Sequence, residues 1–226
     1  MGLFALVALF GAVAIAVVYF QYKARQARVA AVVALGNRIG FAFTADDVDR
    51  VVDLPFSLFG QGDGRRVELV LSGTHNGLPL RLFDYWYYVE TSDGRGRHSK
   101  TYHRFTCGIA TVPAACARLR LGHEGFFSRI GEHVGVHDVQ LESDEFNRRF
   151  RLKCDDQKFA FSLLDGQMME WLLGADSFET VEIDGPWVLL ATQKLEPAQW
   201  LDLGSWLDRF HAHIPAVVYS TYPPRA

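Results

Sequence analysis

The sequence predicts an α+β protein in which an N-terminal transmembrane helix is followed by an antiparallel β-rich domain packed by two amphipathic helices. Three observations carry this prediction. Gly2–Phe20 contains no charged side chain. Between Arg66 and Val112 the apolar residues recur at a period of two, broken by turn sequences. After Gln157 two segments take the helical period.

As a helix rising about 1.5 Å per residue, Gly2–Phe20 covers roughly the 30 Å hydrocarbon core of a bilayer. A cleaved signal peptide is the rival reading. Ala12-Val13-Ala14 and Ala14-Ile15-Ala16 imitate its cleavage site, but nothing basic precedes Leu3 and the apolar run continues past both. Lys23, Arg25 and Arg28 follow the span, so the positive-inside tendency keeps the C-terminal side in the cytoplasm. The expected layout is a transmembrane helix over 2–20, a juxtamembrane helix over 21–40 and a globular domain over 41–226, divisible into 41–115 and 116–226. The expected location is the cell membrane, as a single-pass protein; inverted topology would make the domain an extracellular sensor. The odd set Cys107, Cys116 and Cys154, with no C-x-x-C pair, fits unpaired thiols in a reducing compartment. A net charge of −3 argues against nucleic acid as a partner.

Gln21–Arg38 reads as a helix leaving the membrane, ended by Gly36 and Gly40. Thr44-Ala45-Asp46-Asp47 resembles a capping-box start for a short helix that Asp53-Leu54-Pro55 stops. Gly60–Gly64 is punctuation. Arg66–Ser72, the turn His75-Asn76-Gly77 and Leu78–Glu90 form a hairpin, and Asp93–Gly96 turns the chain into Thr101–Val112. In the long strand, Phe83, Tyr85, Tyr87 and Val89 share one face and Leu80, Leu82, Asp84, Trp86 and Tyr88 the other. Both faces are apolar, so this strand should be central and covered on both sides. Glu124–His133 reads as a short helix, and Asp138–Glu142 and Phe150–Cys154 as strands. Gln157–Leu173 reads as an amphipathic helix closed by Gly174. Phe178–Ile183 and Trp187–Gln193 read as a hairpin about Asp184-Gly185. A second amphipathic helix runs from Pro197 to Ile214, and Val217–Tyr222 as a last edge strand.

No nucleophile elbow, H-E-x-x-H pair or phosphate-binding loop occurs, and no cofactor or metal is implied; Gly60-x-Gly62-x-Gly64 leads into a strand rather than a helix N-terminus. Two groups could support catalysis: Asp84, a carboxylate between Leu82 and Trp86 that must find partners or shift its pKa, and His123 with His133 and His137. The basic cluster Arg95, Arg97, His98, Lys100, His103 and Arg104 crowds one hairpin tip and its outgoing strand. A polybasic segment near an anionic leaflet gains about 1 kcal/mol per Lys or Arg. Arg95, Arg97, Lys100 and Arg104 are therefore the expected contacts to anionic lipid or another phosphate ligand.

Leu35-Gly36-Asn37-Arg38-Ile39-Gly40-Phe41, Leu54-Pro55-Phe56-Ser57-Leu58-Phe59, Leu82-Phe83-Asp84-Tyr85, Glu142–Phe150 and Met169–Leu173, behind a single N-terminal span, resemble uncharacterised bacterial membrane-anchored proteins. The resemblance implies the anchor and the domain layout, and no catalytic residue. The expected function is a non-catalytic binding or scaffolding module at the inner membrane surface. Its expected partners are the bilayer, through 2–20, and anionic phospholipid or a membrane protein. The alternative is a membrane-tethered enzyme using Asp84 or the His123/His133/His137 group.

Overall fold

The computed structural model describes residues 2–92, 96, 98–127, 137–175 and 178–224, with side chains for all of these except positions 2–5, 7, 8, 124, 127 and 137. Helix α1 runs unbroken over Gly2–Ile39 and stops where Gly40 takes a φ of 74°. Among the described residues no helix is long and apolar enough to cross a membrane. The transmembrane expectation is thus not supported by these residues; the segment 2–20 is helical, and six of its positions lack a described side chain.

Among the described residues the architecture is α+β, built on one antiparallel sheet of seven strands. Strand β1 is Ala42–Asp46, β2 Gly64–His75, β3 Leu78–Ser92 and β4 His98–Gly122, each antiparallel to the next. The β2–β3 hairpin turns at Asn76 and Gly77, with φ of 49° and 83°, the left-handed pair that a two-residue hairpin turn needs. Beyond β3, the edge of β4 is taken by β6 (Arg151–Cys154), which pairs with β5 (His137–Asp138). Strand β7 (Thr180–Gln193) covers the other edge along most of its length.

Several expectations are corrected. Thr44–Asp47 starts no helix, because Ala42–Asp46 finds a strand partner in β2; the Asp47 carboxylate instead accepts from the N–H groups of Val51 and Val52, at 2.7 and 2.9 Å, and caps a 3₁₀ turn over Val51–Asp53. Asp184-Gly185 makes no hairpin. Both halves of β7 pair with the same strand, and Gly185, at a φ of 56°, sits opposite the irregular stretch of β4 that contains Pro113, a residue with no N–H for the ladder. The β4–β7 ribbon folds over there: Glu179 N–H donates to Ala191 O at 2.9 Å, so the two ends of β7 lie side by side.

Gln157–Leu173 is two helices, α4 (Gln157–Leu163) and α5 (Gly166–Gly174), because Asp165 accepts from Met168 N–H at 2.8 Å and starts a new N-terminus. Asp138–Glu142 is strand only at His137–Asp138; α3 (Asp144–Arg149), N-capped by Ser143, intervenes before β6, which excludes Phe150. Val217–Tyr222 is not a strand but α7 (Ala216–Thr221), which buries Val218 while Tyr222 packs on Phe159 and donates to Asp156. The expected Glu124–His133 helix is α2 (Glu124–Phe127) as far as the described residues reach. A 3₁₀ turn over Pro197–Gln199 with a Glu196/Gln199 capping box leads into α6 (Trp200–His213).

As β3 requires, the sheet is covered on both faces. On the helix face, Leu80 and Leu82 join Val32 and Leu35 of α1 and Trp200, Leu203, Leu207 and Phe210 of α6 in the larger core. Each such side chain contributes about 1.5–3 kcal/mol when fully buried. Gly36 lets α1 lie close to the sheet: a Cβ there would meet the Leu71 side chain at 2.7 Å. On the opposite face, Phe83, Tyr85 and Tyr87 pack beneath an irregular strap, residues 47–62, which contributes Val51, Phe56, Leu58 and Phe59. A β-bulge at Leu69, φ 58°, slips the period of β2, so Val67 and Val70 enter the strap-side core while Leu69 and Leu71 enter the other.

Candidate functional site

Asp84 lies on the helix face of β3 and is buried. Helix α1 reaches it with Arg28, whose Nε and Nη2 donate to Oδ2 and Oδ1 at 2.6 and 2.8 Å, a bidentate pairing of two planar groups. Arg28 Nη2 also donates to Leu195 O at 2.7 Å. Thr106 on β4 donates to Asp84 Oδ1 at 3.1 Å and accepts from Leu195 N–H at 2.9 Å. A low-dielectric carboxylate needs such partners, and this one has a full set. The arrangement makes Asp84 the rivet between α1, the sheet and the chain entering α6.

The rivet also sets direction. Arg25 pairs with Glu68 at 3.4 Å and Gly36 abuts Leu71, so α1 and β2 run the same way. Gly64, at the start of β2, pairs with Tyr88 of β3, so the β3–β4 hairpin extends toward the same side as the N-terminal part of α1. From Asp84 to Ser92 a strand covers up to about 26 Å, whereas from Arg28 back to Phe20 a helix covers about 12 Å. Along that side α1 exposes an apolar surface, with Phe10 68 %, Ile15 72 % and Phe20 69 % accessible.

The expected binding residues divide accordingly. Arg95 and Arg97 lie outside the described residues. Lys100 and Arg104 stand on the first half of β4, exposed. Lys100 Nζ lies 4.3 Å from the centre of the Tyr88 ring and 3.9 Å from Glu90; Arg104 lies over Tyr102 at 5.1 Å. The hydrogen bond to Tyr88, with Glu90 and Tyr102 assisting, raises the Lys100 pKa. Trp86, Tyr88 and Tyr102 form one aromatic group with ring centres 5.5–6.4 Å apart, on the same face as Asp84. Basic side chains over half-exposed aromatic rings suit an interface between water and an apolar phase.

Of the histidine group, His123 is the member whose side chain is described. His123 Nδ1 lies 3.1 Å from Arg149 O, and its ring packs near Phe150 and Phe178. His133 and the His137 side chain lie outside the description. Among the described residues no His, Cys, Asp and Glu cluster could hold a metal ion. Burial raises all three thiols, Cys116 and Cys154 to about 11 and Cys107 well above its usual value, so none is a ready thiolate.

A second buried carboxylate escaped sequence reasoning. Glu182 of β7 points to the strap face and accepts from the N–H groups of Ser57 and Leu58 at 2.5 and 3.0 Å, capping a 3₁₀ turn over Ser57–Gly60. Burial raises its pKa, while its cross-strand neighbour Arg120 and the two backbone donors pull it down. Tyr85 donates to Leu58 O at 3.0 Å from the strand beneath, and burial pushes its phenol pKa up. Arg28 could have been found earlier, since it falls on the i, i+4, i+7 stripe with Val32 and Leu35; its charge instead placed it with the membrane-flanking cations. Glu182 carried no such signal, because alternation with Val181 and Ile183 mimics a solvated strand face.

No protein-family model matches the chain, and no curated protein does. Among solved structures, the crystal structure of the mycobacterial trehalose monomycolate transport factor A, TtfA, is similar, with a TM-score of 0.63 over 88 % of this chain and 98 % of that one. The two are 12 % identical, so the likeness is one of fold.

Proposed function

We propose that the chain is a membrane-anchored, non-catalytic binding or scaffolding protein at the inner face of the cell membrane, akin to uncharacterised bacterial single-pass proteins, with lipid as the class of ligand at its surface. Gly2–Phe20 lies in the bilayer in this reading, and Lys23 and Arg25 face the cytoplasmic headgroups. The observation that carries it is the Arg28–Asp84 rivet, which makes α1 and the sheet one body and aims the β3–β4 hairpin at the side from which the apolar surface of α1 extends. Lys100 and Arg104 then meet anionic headgroups while Trp86, Tyr88 and Tyr102 sit at the interface, and Arg95 and Arg97, which belong to the same basic run of the sequence, are proposed as further contacts of this kind. The shared fold with a transport factor named for a glycolipid supports lipid as the setting.

The test uses the full chain reconstituted in vesicles of phosphatidylcholine alone or with phosphatidylglycerol. Amide exchange over 98–104 is expected to slow in the anionic vesicles, and the Lys100→Glu/Arg104→Glu variant is expected to lose that protection. Equal exchange in both vesicle types would overturn the lipid contact, and failure of the chain to stay with vesicles after an alkaline carbonate wash would overturn the anchor.

A further inference from the structure

The turn that leads from β7 toward α6 carries a cation that sequence reasoning passed over. Lys194 directly follows β7, and the next residue, Leu195, is the one whose carbonyl accepts from Arg28. Lys194 and Arg104 line one shallow notch on the helix face of the sheet, with Glu68, Asp84 and Trp86 as further walls. Both cations are exposed. The carboxylates beside them are already engaged, Asp84 with Arg28 and Thr106, and Glu68 with Arg25. Among the described residues, neither Lys194 nor Arg104 has a carboxylate within ion-pair distance. Crowding by the surrounding protein, together with the charges of Arg28 and Arg104, lowers the Lys194 pKa against the pull of Asp84 and Glu68. Two cations that share a notch and lack a counter-ion gain from an anion placed between them.

Size and position select the anion. The notch holds about 10 Å³, room for roughly one oxygen atom, so an occupant keeps the rest of its bulk outside. Arg28, which reaches the same Asp84, lies beyond Phe20 by about 12 Å along α1. The headgroup zone is about 5–7 Å deep on each side of the hydrocarbon core, and long Lys and Arg stems close the remaining distance. At that depth the anions on offer are the phosphates of lipid headgroups.

We infer that Lys194 and Arg104 hold one phosphate group between them, each donating to its oxygens, with a lipid headgroup as its source at the membrane surface. The choice of source rests on the membrane reading above, whereas the phosphate site rests on the notch.

The experiment places the full chain in phosphate-free maltoside micelles, alone, with phosphatidylglycerol, or with inorganic phosphate at matched ionic strength. An amine-acylating reagent is added briefly, and acylation of Lys194 and of Lys23 is followed by peptide mass spectrometry. An anion at the notch holds the Lys194 ammonium in its charged, unreactive form, so phosphatidylglycerol is expected to slow its acylation about threefold. Arg104→Gln is expected to remove most of that slowing while leaving the rate at Lys23 unchanged. Slowing by inorganic phosphate and not by the lipid would support the site and overturn the lipid as its source. No slowing by either would overturn the site, and slowed amide exchange over 98–104 in anionic vesicles would then show that the lipid contact of the hairpin stands without it. Slowing that survives Arg104→Gln would overturn the pairing of the two cations.

Discussion

Among the described residues the two faces of the sheet each bury one carboxylate, and they satisfy it in opposite ways. On the helix face, Asp84 takes both its oxygens to the Arg28 guanidinium. On the strap face, Glu182 takes its oxygens to backbone N–H groups of Ser57 and Leu58. The cause lies in what covers each face. A helix interior has spent its backbone donors on itself, so α1 can answer a buried acid only with a side chain. The strap has irregular backbone with open donors, and an acid from the strand beneath completes them as a cap would. A regular cover recruits a charge; an irregular cover recruits a hydrogen-bond acceptor.

The strongest way to break this comparison is Asp84→Ala. It strands a guanidinium whose side chain is 13 % exposed, and such losses cost about 3–5 kcal/mol, so the urea midpoint should fall steeply. Adding Arg28→Met should recover most of that loss, because the penalty is the unpaired charge. A single substitution as mild as a surface change would mean that Leu195 O and the Glu196 carboxylate, 4.0 Å away, are enough for Arg28.

Glu182→Ala is expected to cost less, about 1–3 kcal/mol, with exchange protection lost first over 57–60. Its pH dependence sharpens the contrast. Burial raises the folded pKa of Glu182 above the ordinary 4.5, so the folded state binds this proton more tightly than the unfolded chain does. Its contribution is therefore fully present below that ordinary value and declines as pH rises through the folded pKa. The urea midpoint of the natural protein relative to Glu182→Gln should fall as pH rises above the ordinary 4.5. A rise would mean that Arg120 and the two backbone donors outweigh burial.

Asp165→Ala tests how the helix face caps itself locally. Loss of the bond to Met168 N–H is expected to cost about 1 kcal/mol and fray the start of α5. The smallest effect is reserved for Arg25→Ala. Its partner Glu68 is 3.4 Å away, but the Arg25 side chain is 66 % exposed, and the change should cost no more than about 0.5 kcal/mol. A larger loss would move the rivet's strength from Arg28 to the whole basic edge of α1.

Much of the helix face was legible because periodicity records burial directly. The stripe Trp200, Leu203, Leu207, Phe210 and the two-faced strand Leu78–Glu90 are both found as read. Asp84 was singled out by its apolar neighbours, although its partner was not. The strap face was largely hidden, since residues 47–62 have no period and the polar position 182 pairs with donors 125 and 124 residues away. The hairpin expected at Asp184-Gly185 failed for a related reason: a left-handed glycine permits a turn or a bulge, and the choice fell to β4, which offers partners on both sides of it.

The sequence by itself determined the α+β class, the apolar helix that leads into the domain, the β2–β3–β4 meander and the amphipathic character of α6, because these follow from local period and turn chemistry. Tertiary structure alone decided that α1 is riveted to the sheet through Arg28 and Asp84, that β7 is one strand folded over at Gly185, and that Glu182 caps the strap. Each of these depends on which distant backbone or side chain arrives beside a residue, and the spacing of residues along a chain carries no record of that arrival.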